Sequence, residues 1–528
     1  MRISLALAAL AGLTASLFAG ESNVGYRSHP LTIEEAVQIA LQQSPTILTR
    51  IQELKRTRGL VFQAQARLLP QLIGSANYTQ DDPALVRTGT GGRVTNLDLL
   101  AVQAGTTSPI VSIPLRSLFS TTTASENWTA TIQIQQLIYD GGASIASRRA
   151  SRINEDAAYY TLRDTIDSTV ETVRTQFYAI LLDKALIQVQ EESVNLLQSQ
   201  LEDQTSRFEA GTVPQFNVLQ AQSQLQNQIP QLITAQNNYR IAQVQLARTL
   251  GIPAGRQYTT DEPLPVVGRL TYEPIKYDLA SALITARANR PFLKAQRSTV
   301  LADVENVTVA AAGFQPTISG NIGLRAQNNP RSSQLDNTQQ GWFFGFTGSW
   351  NIFDGGLTYG NLKSARAILE EARITFDDSA RQVELDVATA VDNLRQSQET
   401  IASSEKAVQV SQESLRLANE RLAAGTGTQL DVLNQQTQLT IARSNLVQAQ
   451  FNYISAVAQY QFAIGIETKY NDMFDETRSH PLTLTAGEGK KALRSRYDSP
   501  LDPDKPATTK SKKWSLSPPL GKVIFSND

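Results

Sequence analysis

Two stretches of this 528-residue chain, 143–210 and 361–424, contain neither glycine nor proline. Wound as one helix of about 67 residues, either would run about 100 Å at 1.5 Å per residue. That is far longer than a globular helix and points to a coiled coil. A heptad seam supports this. Ile166, Val173, Ile180, Ile187, Val194, Leu201 and Phe208 fall seven apart. The second seam position begins apolar at Val170 and Phe177 and then turns polar at Lys184, Glu191 and Gln198. A narrow, partly polar seam suits a helix in a hollow barrel better than one in a filled bundle.

The two stretches are copies. Arg207–Leu225 and Arg421–Leu439 share ten of nineteen residues at an offset of 214. At the same offset Tyr139-Asp140-Gly141-Gly142 returns as Phe353-Asp354-Gly355-Gly356, and Gly251-Ile252 as Gly465-Ile466. Upstream, 31–45 resembles 277–291 at an offset of 246, so the first copy carries a 32-residue insertion between Tyr78 and Trp128. A repeat of this length fixes the architecture before any single element does.

Each copy reads the same way. Both long helices, about 143–210 and 357–424, stop at Ala-Gly-Thr, where glycine is a natural C-terminal cap. Return helices follow at about 215–250 and 429–464, roughly half as long, with Pro214 placed for a first helical turn. Helices at about 45–68 and 291–312 are then expected to stack end to end on them. Four segments, about 69–79, 127–138, 315–326 and 342–353, alternate apolar and polar residues as membrane strands do. Three of the four tryptophans lie there, as aromatic girdles require. Four strands cannot close a barrel, and lipid does not tolerate open edges, so several chains must share one.

Composition narrows the function. There is no cysteine, which removes disulfides, thiol catalysis and cysteine-linked lipid. Two histidines, His29 and His480, leave little for a histidine-built catalytic or metal centre. The net charge of −1 gives no basic surface for nucleic acid. Neither an enzyme nor a cofactor is expected. Residues 1–20 read as a secretory signal, an arginine followed by an apolar run and small residues. The chain therefore divides into signal (1–20), first repeat (21–252), linker (253–276), second repeat (277–466) and a Pro/Lys/Ser-rich tail (467–528) expected to be disordered. The segment that holds the insertion, 79–127, is expected to be a long extracellular loop.

The duplication, the junctions LIYDGGASIASRRA (137–150) and NIFDGGLTYGNLKSAR (351–366), and the turns RFEAGTVPQFNVLQAQ and RLAAGTGTQLDVLNQQ resemble the TolC family of outer-membrane efflux and secretion channels. The resemblance covers about residues 30–467. It implies a mixed fold, a membrane β-barrel joined to a helical coiled-coil barrel. A homotrimer would share a twelve-stranded barrel in outer-membrane lipid and a twelve-helix periplasmic tunnel. It implies docking of the tunnel tip on a periplasmic adaptor (membrane fusion) protein and an inner-membrane transporter. The expected function is the exit duct of a tripartite efflux pump. The alternatives are the exit channel of a type I secretion system, a diffusion porin, for which the long helices are superfluous, and a periplasmic scaffold, which leaves the strands unexplained.

Candidate residues follow. Asp140, Gly141, Gly142, Asp354, Gly355 and Gly356 are expected to be structural, the acid accepting local N–H groups while the glycines permit positive φ. Gly211, Thr212, Gly425 and Thr426 are the expected adaptor-docking turns. By resemblance, where members often carry Asp-Val-Leu-Asp at the entrance, this chain has Asp431-Val432-Leu433-Asn434, with Asn217 as the first-repeat mate. Asp431, Asn434 and Asn217 are the expected pore constriction. Asp431 is also a plain first-turn acid, favoured by the helix dipole. Leu422 and Gly427 stand where some members place a Tyr and an Arg that hold the entrance shut.

Overall fold

The computed structural model describes residues 30–80, 97–103, 106–113, 126–252, 264–328 and 337–466. The expected signal and tail lie outside them. The chain runs α1 (Ile33–Gln43), α2 (Pro45–Ala66), β1 (Gln71–Gln80), β2 (Leu97–Gln103), β3 (Thr106–Ile113) and β4 (Glu126–Tyr139). The long α3 (Ala143–Glu209) and α4 (Gln215–Leu250) complete the first repeat. The second repeat holds α5 (Leu279–Asn289), α6 (Pro291–Ala311), β5 (Thr317–Asn328), β6 (Thr338–Ser349), α7 (Leu357–Ala423) and α8 (Gln429–Ile464).

Four strands form one antiparallel sheet in the order β1-β4-β5-β6. The register lines up apolar side chains across it. Leu72, Ile134, Ile322 and Phe344 share one row, and Gly74, Ile132, Leu324 and Trp342 the next. These side chains are exposed, with Trp342 at 72% and Phe346 also at 72%. The alternate positions carry Thr131, Gln133, Gln135 and Asn321. A sheet with one bare apolar face and one polar face is built to stand between lipid and water. No helix among the described residues is long and apolar enough to cross a membrane.

Two details differ from the sequence reading. The insertion is not wholly loop, because β2 and β3 pair as a separate antiparallel hairpin. The second stretch is rich in β-branched residues (Thr106, Thr107, Ile110, Val111 and Ile113), and in sequence only the dipeptide Ala104-Gly105 separates it from the first. The last strand spans Thr338–Ser349 rather than 342–353. Its partner β5 starts at Thr317, opposite Ser349, after a 3-10 turn at Ala312–Phe314. The ladder with β5 ends at Ser349, and the Trp350 indole N–H instead donates to the Phe314 carbonyl at 3.1 Å.

The helices form one layer. Near the sheet its order is α2-α3-α6-α7, and toward the Ala-Gly-Thr turns it is α4-α3-α8-α7. The half-length helices therefore replace one another beside the two long ones. The relay points are glycines. Gly251 ends α4 at φ +75°, so close to the α1–α2 corner that a Cβ would stand 2.2 Å from the Gln43 carbonyl oxygen. Gly465 ends α8 at φ +63° against Arg290, the α5–α6 corner. Arg290 is buried there, donating to the Ala463 carbonyl at 3.3 Å, pairing with Asp386 at 3.3 Å and lying over the Phe462 ring. The inter-repeat segment straps these joints. Val266 bridges Leu31, and the Tyr453 hydroxyl donates to Glu273 O at 2.6 Å and accepts from Ile275 N–H at 3.1 Å.

The core follows the narrow seam. Ile166, Val173 and Ile180 are buried, and Leu394 and Ile401 in the second repeat. Toward the tip the strict heptad fails. Burial passes to Ser193, Leu197 and Gln204, while Phe208 is 42% exposed. A straight α-helix drifts against a seven-residue repeat, and the polar neighbours Glu191 and Gln198 do nothing to hold it in phase.

Candidate functional site

The two Asp-Gly-Gly junctions share one construction. The Asp140 carboxylate accepts from Gly142 N–H at 3.1 Å, Ser144 N–H at 2.7 Å and the Ser144 hydroxyl at 2.5 Å. Asp354 accepts from Gly356 N–H at 3.0 Å and from the Thr358 N–H and hydroxyl at 2.8 and 2.5 Å. The Thr358 donors hold the Asp354 carboxyl below the usual carboxylate range. Gly141 and Gly142 take φ +67° and +87°, and Gly355 and Gly356 +68° and +90°, where a side chain is strained. In the first repeat the chain thus turns from strand, ending at Tyr139, to helix, starting at Ala143, with three residues between.

At the far end the long helices terminate alike. Gly211 and Gly425 both adopt φ +73°. Thr212 N–H and hydroxyl donate to Arg207 O at 2.9 and 2.8 Å, and Thr426 repeats this on Arg421 O at 2.9 and 3.2 Å. These bonds satisfy carbonyls that a helix end would leave bare. Gly211 and Gly425 are exposed, and Thr212 and Thr426 are solvent-facing beside them. The apolar neighbours Phe216 (70% exposed) and Leu430 (46%) complete a surface left open among the described residues.

The return helices begin differently. In the first repeat Pro214 is itself the cap residue, one position before the helical turn the sequence suggests, and supplies no side-chain bond. In the second, Thr428 and Asp431 form a reciprocal capping box. The Asp431 carboxylate accepts from Thr428 N–H at 2.9 Å and the Thr428 hydroxyl at 2.8 Å, and Asp431 N–H donates back at 3.2 Å. The Thr428 N–H and hydroxyl, with Arg421 a smaller influence, keep the Asp431 carboxyl below its ordinary range. Asp431 and Asn434 are exposed one helical turn apart, while Val432 and Leu433 between them are buried. Asn217 sits in the first turn of α4, at the same end of the layer, with its N–H bonded to Pro214 O.

The two repeats are joined near this tip by contacts the sequence did not single out. Leu433 of α8 packs with Leu197 of α3 and Leu225 of α4. Further from the turns, the Arg443 guanidinium pairs with Glu192 at 2.9 Å and Thr440 with Ser193 at 3.3 Å. Leu422 is half-buried, and Gly427 lies so close to Arg421 that a Cβ would be 3.1 Å from its side chain. Arg443 and Glu192 sit far apart in sequence, and the duplication does not mark them. Their repeat mates are Ile229 and Lys406, which cannot form the same pair.

No cluster of His, Cys, Asp or Glu among the described residues has the form of a metal site. The model of the outer membrane efflux protein family matches residues 36–252 and 282–466, one stretch in each repeat. The chain belongs to that family. Outer membrane protein TolC of Escherichia coli is 25% identical over 356 residues, covering 64% of this chain and 69% of that protein. The alkaline protease secretion protein AprF of Pseudomonas aeruginosa is 22% identical over 489 residues, covering 91% and 93%. In fold the chain is similar to the CmeC outer membrane channel of Campylobacter jejuni, with a TM-score of 0.69 at 15% identity over 85% of this chain and 90% of that one. The family consists of channels, not enzymes, and the chain is an outer-membrane protein with its long helices in the periplasm.

Proposed function

We propose that three copies of this chain form the outer-membrane exit duct of a tripartite efflux pump. The observation that carries this is the pair of free edges. β1 and β6 each have one neighbour among the described residues, and α7 is the last helix of the layer α4-α3-α8-α7. Lipid does not admit an unpaired strand edge, so β6 of one copy pairs with β1 of the next until the ring closes. Three four-stranded sheets make a barrel of twelve strands, above twelve helical positions, and the polar sheet face lines its bore. The duct makes no covalent change. An inner-membrane transporter supplies the energy, and a periplasmic adaptor protein docks at the turns around Gly211, Thr212, Gly425 and Thr426. Asp431 and Asn434, with Asn217 from the first repeat, ring the mouth, Asp431 serving as both cap and lumenal charge.

The exit channel of a type I secretion system is the second reading, and the near full-length match to a protease secretion protein favours it. The two are separated by deleting the gene and scoring two phenotypes, drug sensitivity and loss of a secreted protein. Heightened sensitivity restored by the wild-type gene supports efflux. A purely secretory defect overturns it in favour of secretion. Normal behaviour in both assays counts against the duct itself.

A further inference from the structure

The duplication repeats one more pattern, just below the Asp-Gly-Gly junctions. Ile145, Arg149 and Arg152 stand four and three residues apart, which lines them along one face of α3. Their mates 214 residues later are Tyr359, Lys363 and Arg366 on α7. All six are exposed. Arg149 approaches Glu305 only to 4.0 Å, and Arg152, Lys363 and Arg366 have no ion-pair partner among the described residues.

Their height matters. The sheet's bare apolar face ends at the junction with Ile138, Ile352 and Phe353, which are 55%, 81% and 88% exposed. Ile145 and Tyr359 extend that apolar band into the first helical turn. Arg149 and Arg152 follow about 9 and about 14 Å along the axis from Ala143. Side chains on a helix lean toward its N-terminus, which for α3 and α7 is the membrane end, so these long cations reach back toward the headgroups. The headgroup zone is about 5–8 Å deep on each side of the hydrocarbon. The face is the outer one. Ile145 and Tyr359 share it with the cations and continue the exposed apolar surface of Ile138, Ile352 and Phe353.

We propose that Arg149, Arg152, Lys363 and Arg366 form a cationic collar that binds anionic phospholipid headgroups in the inner leaflet of the outer membrane. Charge complementarity and continuity with the lipid-facing sheet select this occupant. The collar fixes the depth of the duct and resists its tilting.

The test uses the full-length channel in neutral detergent, titrated with phosphatidylglycerol or phosphatidylcholine and read by native mass spectrometry and thermal unfolding. At low salt, phosphatidylglycerol should bind about tenfold or more tightly than phosphatidylcholine, with the preference shrinking as salt rises. R149Q/R152Q/K363Q/R366Q should lose the preference. R149Q/R152Q and K363Q/R366Q, made separately, should each lose part of it, which keeps the test open if the fourfold variant does not assemble. K184Q/K406Q, far from the membrane, should keep it. A wild-type channel without headgroup preference, or collar variants that retain it in full, would overturn the proposal.

Discussion

Gly251→Ala should destabilise the channel far more than Gly211→Ala, although the two glycines hold nearly the same backbone conformation, φ +75° and +73°. An L residue in the left-handed region costs about 1–2 kcal/mol at either position. At Gly211 nothing lies within 4 Å of the added Cβ, so the cost ends there. At Gly251 the methyl would meet backbone, the Gln43 carbonyl oxygen at 2.2 Å and its carbon at 2.8 Å, with Pro45 Cδ at 3.2 Å. The α1–α2 corner has to move away from the end of α4, and overpacking of that kind adds ~1–3 kcal/mol, for a total of ~2–5 kcal/mol. Guanidinium unfolding followed by helical circular dichroism measures both variants against wild type. Equal midpoint shifts would refute the claim that α4 abuts α2 end to end through this glycine, and with it the continuous helical wall.

Other expectations follow from the mouth and the middle of the layer. Asp431→Asn should reduce cation selectivity and block by multivalent cations in planar bilayers; unchanged selectivity would leave Asp431 a capping residue alone. Because its folded pKa is depressed, the Asp431 cap is in place above the ordinary aspartate pKa and is lost as pH falls through the lowered folded value, so amide exchange in the first turn of α8 should accelerate only in acid. Burial pushes the half-buried Asp183 carboxyl up to about 6. The folded state then holds a proton that the unfolded state releases, so stability should fall as pH rises from about 4 to 6, and Asp183→Asn should remove that slope and add ~1 kcal/mol at neutral pH once solvent screening is allowed for. Arg443→Gln should loosen the tip contact between α8 and α3, seen as faster amide exchange around Leu433 with no change at the sheet; exchange equal to wild type would show the Glu192 pair to be incidental.

The sequence disclosed what repetition and periodicity encode. Two glycine-free runs foretold the long helices, and paired Asp-Gly-Gly and Ala-Gly-Thr motifs marked where each begins and ends, because a chain reversal needs left-handed glycines. What stayed hidden depends on distant contact. The end of β6 at Ser349 is decided by where β5 starts, not by the alternation that continues to Ile352. The relay role of Gly251 and Gly465 appears only when the half-length helices are stacked. Thr428 was one more threonine until its hydroxyl met Asp431, and Arg443 found Glu192 across the repeat boundary, where no local spacing could reveal it.

The mass of the conducting species tests the central claim most directly. The purified channel should be weighed by native mass spectrometry in detergent, and the same fraction assayed for conductance in a planar bilayer. Free edges on β1 and β6 require that the conducting particle have three times the mass of the mature chain, with no conductance in any monomer fraction. A monomer that conducts as well as the parent fraction would contradict the shared barrel.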